Sequence, residues 1–162
     1  MKKILFLALL LMVSSMMYAG RRANKLTDQW RYELECAGNG QQGTYLVKVW
    51  SYSKNQRVAY EQCSKNAVHG VIFKGFAGGQ GCTAQRPLAQ NPGVEQEHAD
   101  FFKHFFDNGG EYMKYVQVKS PERQTVKIKS EYKVGVVVSV AKDQLRKALE
   151  QAGVIRGLST GF

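Results

Sequence analysis

The sequence predicts an α+β domain: a mainly antiparallel sheet of about five strands with helices packed on one face. Three observations carry that expectation. Two period-two segments occupy residues 30–52, helical spacing then replaces them over residues 57–74, and three further strand-like segments cluster before a last amphipathic helix instead of alternating one-for-one with helices.

Trp30, Tyr32, Leu34 and Cys36 alternate with Arg31, Glu33 and Glu35, the pattern of a strand with one buried face. Gly38-Asn39-Gly40 supplies a turn. Residues 44–52 (TYLVKVWSY) then carry β-branched and aromatic side chains on both faces, as a strand inside a sheet does, and the two strands are expected to pair as a hairpin. Lys54-Asn55 begins a helix over about residues 57–74, whose Ala59, Cys63, Ala67 and Gly70 form a small-residue stripe that lets a helix backbone lie close to a sheet. Gly70 lowers helix propensity by about 1 kcal/mol relative to alanine, so close packing is the reason to find it there. Residues 75–92, rich in Gly, Gln and Pro, read as a helix stop and a mobile loop; a phosphate cradle precedes a helix, whereas this glycine run follows one.

Residues 94–106 resume helical spacing with Phe101, Phe102, Phe105 and Phe106 as paired apolar positions, and Asn108-Gly109-Gly110 stops them. Strands are expected over residues 111–118, 125–129 and 132–140, the last containing KVGVVVSV. Residues 142–152 predict an amphipathic helix with Leu145, Ala148, Leu149 and Ala152 on its core face, ended by Gly153.

Met1-Lys2-Lys3, the apolar run from Ile4 to Val13 and the small residue Ala19 read as a secretory signal peptide over residues 1–19, too short in its apolar part to span a bilayer. Residues 20–28 are expected to be a flexible basic flank and residues 29–162 a single α+β domain. The whole chain of 162 residues has 23 Lys and Arg against 13 Asp and Glu; loss of Lys2 and Lys3 with the signal leaves 21 basic side chains and a basic mature protein. No later stretch is long and apolar enough for a transmembrane segment, so the mature protein is expected to be soluble.

Three cysteines in an exported chain allow one disulfide, with three possible pairings. Cys63 falls in the small-residue stripe and is expected to be a buried free thiol, which leaves Cys36 and Cys82 as the disulfide candidates. The sharper alternative makes Cys82 a nucleophile, because Gly79-Gln80-Gly81-Cys82 resembles the glutamine-bearing approach to the cysteine of papain-like enzymes. Those enzymes activate the thiolate at a helix N-terminus, and residues 83–87 do not open a helix. His69 reads as a packed helix residue. Glu95 and His98 form a lone Glu-x-x-His, a motif that binds metal in pairs, and His98 and His104 point in different directions; no metal and no cofactor are expected.

The physical signal for function is charge. Lys114, Lys119, Arg123, Lys127, Lys129 and Lys133 stand against Glu122 and Glu131 in one short segment, a candidate anion-binding hairpin. Alternation places Lys127 and Lys129 on the solvent face with Val126 and Ile128 pointing inward, since a one-residue shift would bury two charges. Such a face recruits anionic polymers or lipid headgroups by charge complementarity; without an aromatic RNA-binding signature, nucleic acid is the least expected ligand. The competing reading is that the lysines only solvate a strand edge and protect it from pairing.

The stretches GTYLVKVWSY, NAVHGVIFKGF, DFFKHFF, YKVGVVVSV and LRKALEQAGVIRGLSTGF resemble a group of exported proteins of Bacteroidetes bacteria to which no activity is assigned, over nearly all of the mature chain. The resemblance implies the periplasm or outer-membrane periphery of a Gram-negative bacterium and carries over no catalytic residue. The hairpin, alanine-striped helix and valine-rich strand also look like the small α+β modules of periplasmic flagellar and LPP20-type envelope proteins. The terminal Phe162 invites comparison with outer-membrane barrels, for which about five strands are too few. The resulting expectation is an exported, non-enzymatic cell-envelope module that binds a protein partner or an anionic envelope component through its basic hairpin face. The alternatives are a cysteine-dependent hydrolase using Cys82 and a structural subunit of an envelope assembly.

Overall fold

The computed structural model describes residues 30–79, 81–120 and 122–157. The expected signal peptide, the basic flank and Phe162 lie outside the described residues. The fold is α+β, as the clustering of strands predicts. Strands β1 (Tyr32–Cys36) and β2 (Tyr45–Ser53) form the expected antiparallel hairpin. Helix α1 (Gln56–Phe73) follows, then two short helices, α2 (Val94–Glu97) and α3 (Ala99–Phe105). A 3-10 turn (Glu111–Tyr115) leads into β3 (Val116–Val118), β4 (Gln124–Ile128) and β5 (Glu131–Val140), and α4 (Lys142–Gln151) closes the described chain.

The sheet order is β1-β2-β5-β3, with β4 also pairing β5, and all pairs are antiparallel. Strand β5 is therefore central. Its Val134, Val136, Val138 and Val140 line one face with Val47 and Val49 of β2, and helix α1 lies over both strands. Each such valine contributes roughly 1.5–3 kcal/mol by leaving water. Asn55 starts α1: its side-chain oxygen accepts from the backbone N–H groups of Arg57 at 2.9 Å and Val58 at 3.4 Å. The stripe of Ala59, Cys63, Ala67 and Gly70 is buried as its spacing requires. Gly70 is the closest point, because a Cβ there would overlap Leu34 Cδ1 and come within 3.0 Å of Tyr32 Cε2.

The opposite face of the sheet is not bare. Trp50 on β2 stands directly across from Gly135 on β5, where a Cβ would lie 2.6 Å from the indole ring. The glycine inside KVGVVVSV is a seat for that ring. Lys48 and Lys133 place their ammonium groups 4.4 and 4.9 Å from the ring centroid. Lys133 also donates to Glu33 at 2.7 Å, and Arg31 makes two bonds to Glu131 at 3.0 and 3.1 Å.

Four expectations differ from the fold. Residues 111–115 are a 3-10 turn and not strand, because Tyr112 and Tyr115, three apart, both reach the core while Met113 does not. The helix expected over residues 94–106 breaks at His98, whose φ and ψ are −114° and 35°. Ala152 is exposed, so the core face of α4 consists of Leu145 and Leu149, with Ala148 half-buried. The loop after α1 carries two antiparallel bridges, Phe76 with Gln85 and Gly79 with Cys82, and its Leu88 and Ala89 N–H groups bond to Val71 and Ile72 carbonyls at the end of α1.

Candidate functional site

The edge of the sheet beside β5 is built from β3 and β4, which run in one direction along the same strand. Val118 pairs with Val138, Lys119 N–H still reaches the Val137 carbonyl at 3.0 Å, and pairing resumes with Gln124 opposite Gly135. From Val118 to Gln124 the chain advances six residues while its partners on β5, Val138 and Gly135, are three apart, so three residues are extra on this side, as in a bulge. Because side chains alternate with period two, an odd insertion exchanges the faces. Val116 and Val118 share the helix-side face with Val140 and Val138, whereas beyond the bulge it is Lys127, opposite Tyr132, that lies on that side.

This corrects the expected phase of the hairpin. Val126 and Ile128 do not point inward: they stand opposite Lys133 and Glu131 on the open face and are 49% and 44% exposed. Lys129 is not on the strand either, but first in the two-residue turn to β5, with φ of 53°. Both lysines are nonetheless exposed, Lys127 with every other residue of β4 and Lys129 in the turn. Among the described residues neither the Lys127 nor the Lys129 side chain has a hydrogen-bond or ion-pair partner.

The six expected cations are therefore not on one face. Lys133 is committed on the open face to Glu33 and to the rings of Trp50 and Tyr52. Its paired carboxylate holds the ammonium above its ordinary value, and the Glu33 carboxyl is lowered in turn by bonds from Lys133 and Tyr52. Lys114 pairs with Glu111 at 3.1 Å, Lys119 donates to Gln117 at 2.7 Å, and Arg123 lies 4.6 Å from the Tyr60 ring centroid. What the edge does bring together is charge and apolar surface. The exposed large hydrophobic residues among those described are Met113, Val118, Val126 and Ile128, and all four fall between residues 113 and 128 with four of the six cations, Lys129 following directly.

Cys36 and Cys82 form a disulfide, and Cys63 is a buried free thiol. The Cys82 sulfur is therefore not available as a thiolate, which removes the hydrolase reading. Burial pushes the Cys63 thiol up to about 11, so it is protonated and packs as an apolar group, its Sγ donating to the Ala59 carbonyl at 3.3 Å.

A second polar centre joins residues far apart in the chain. His69 on α1, 2% exposed, lies with Nδ1 2.5 Å from Tyr32 Oη on β1 and Nε2 3.0 Å from Glu95 Oε1 on α2. Burial, with Lys74 and Lys65 as like charges, lowers its pKa to about 3. The neutral ring accepts from the tyrosine hydroxyl and donates to the carboxylate, which uses both nitrogens. Trp30 stacks on the imidazole with centroids 3.6 Å apart and closes it from outside. The break at His98 leaves Glu95 on its own short helix, turned to His69 and not acting with His98. This arrangement is a polar lock between β1, α1 and α2, with no free nitrogen to serve as a base. No short-range spacing in the sequence relates residues 32, 69 and 95. Among the described residues no three His, Cys, Asp or Glu side chains cluster as metal ligands do.

No family model matches the chain, and neither a curated protein nor a solved structure matches it.

Proposed function

We propose that this protein is an exported, non-enzymatic module of the cell envelope that binds an anionic envelope component, specifically an anionic lipid surface, through its β3–β4 edge. The observation that carries this reading is the coincidence of exposed Val118, Val126 and Ile128 with exposed Lys127 and Lys129 along one edge of the sheet, beside Met113 exposed in the turn that leads into it. Cations alone fit the solvation of a strand edge, which leaves the exposed side chains between them polar. Interleaved apolar side chains match a bilayer surface, where ammonium groups meet headgroup phosphates and short apolar side chains enter the acyl boundary. The turn supports the same reading. A positive φ at the first of two turn residues favours glycine, and a lysine there sets an exposed charge at the hairpin tip at some cost in backbone strain. The disulfide is compatible with export, and no helix among the described residues is long and apolar enough to cross a membrane.

Sedimentation with vesicles tests the reading. The protein is expected to pellet with phosphatidylcholine vesicles that contain phosphatidylglycerol and not with pure phosphatidylcholine, and Lys127→Glu with Lys129→Glu should release it without changing its thermal unfolding. Equal pelleting by that double variant would return the lysines to a solvating role.

A further inference from the structure

A cleft of about 640 Å³ lies between the loop after α1, helix α2 and the chain beyond α4. Its apolar wall is made by Leu88, Val94 and Val154, each buried to more than nine-tenths, with Ile155 packed against the core beside them. Two guanidinium groups, Arg146 and Arg156, stand in the same lining. Arg146 is three-quarters buried, and its nearest carboxylate, Glu150 Oε1, is 3.6 Å away, beyond hydrogen-bond length. That buried Glu150 oxygen has no other hydrogen-bond partner among the described residues, so the ion pair leaves both groups under-bonded. Arg156 is exposed and has no partner among the described residues. One carboxylate, Glu97, lines the cleft, and it accepts a bond from Asn91 at 3.5 Å.

An apolar wall beside the free guanidinium of Arg156, and that of Arg146 held only by its 3.6 Å ion pair to Glu150, is complementary to a molecule with an apolar body and a planar anionic head. From this geometry we infer that the cleft is a binding site for a small organic monocarboxylate, the body against Leu88, Val94 and Val154 and the carboxylate on Arg146 and Arg156. The volume is that of sites for drug-sized ligands, roughly 300–1,000 Å³. The site shares no residue with the β3–β4 edge and stands whether or not that edge meets a lipid surface.

Titration of the full chain with decanoate, read by calorimetry and by backbone amide chemical shifts, tests the inference. One saturable site per chain is expected, with shifts centred on Arg146, Val154 and Ile155. Arg156→Gln, an exposed change that leaves the fold intact, should weaken binding about tenfold, as loss of one charge-assisted bond does, and Arg146→Gln should add to it. Decanol, with the same body and no charge, should bind at least about tenfold more weakly. The inference is overturned by the absence of saturable binding, by equal binding of decanol, by indifference to Arg156→Gln, or by shifts confined to Val126 and Ile128.

Discussion

At the scale of single residues, two positions are set by what glycine alone tolerates, and only one of them carries a glycine. Lys129 occupies a left-handed backbone conformation at the hairpin tip, and replacing it with glycine relieves that strain. Lys129→Gly is expected to stabilise the protein by about 0.5–1 kcal/mol, net of the extra backbone entropy of glycine, while weakening vesicle binding. Urea denaturation beside vesicle sedimentation reads the two effects separately; a destabilised Lys129→Gly would mean that the lysine side chain itself holds the turn. Gly70 is the reverse case. A leucine there meets Leu34 and Tyr32, and the overpacking should cost about 1–3 kcal/mol; an unchanged urea midpoint for Gly70→Leu would show that α1 does not lie this close to β1. His69 adds a dependence on pH. Its folded pKa lies below the unfolded value, so its contribution to stability is fully present above about pH 6.5 and is lost as pH falls toward 3, by up to about 1.4 kcal/mol per pH unit. Glu95, raised by burial, acts with the opposite sign, stabilising at low pH and less as pH rises through its folded value. His69→Gln should therefore flatten stability between pH 6.5 and 5, and Glu95→Gln should remove the opposing slope that sets in above the ordinary glutamate value of 4.5; slopes identical to the parent in both variants would contradict the lock.

At the scale of elements, β1, β2, β5, α1 and α4 were legible because each buries one face against a continuous partner, so the apolar period records the secondary structure directly. The cysteine pairing was legible for a related reason: the small-residue stripe buries Cys63 and leaves the other two. That bridge joins the end of β1 to the loop after α1 across 46 residues, a span over which chain entropy contributes about 4 kcal/mol. Mild reduction should lower the unfolding temperature by many degrees while Cys63 stays unreactive to iodoacetamide in the folded protein; no change on reduction would show that the bridge adds nothing. The edge strand was misread because its phase depends on a bulge. Alternation within residues 125–129 reports which residues share a face, not which face the helices cover, and three extra residues before β4 exchange the two. No helix covers β4, so the burial argument that set its phase had nothing to act on. The lock of Tyr32, His69 and Glu95 was illegible for another reason. It depends on three elements meeting in space, and His69 alone looks like any packed helix residue.

For the whole molecule, the two faces of the sheet do different things. One carries the valine core under α1, and the other is closed by paired charges and cations over Trp50, which leaves β3 and β4 as the edge with unsatisfied apolar and cationic surface. Net basic charge brings the chain to any polyanion, but only the edge offers Val126 and Ile128 for insertion. Ile128→Trp places a reporter at that point, distinct from Trp30, stacked on His69, and Trp50, seated on Gly135. Fluorescence of this variant on vesicles containing phosphatidylglycerol is the most direct measurement of the central claim. If the edge enters the bilayer surface, emission is blue-shifted and is quenched by lipids brominated near the headgroup end of the acyl chains, both effects absent when Lys127 and Lys129 are changed to glutamate; emission that stays solvent-like on vesicles that still bind the protein would contradict insertion.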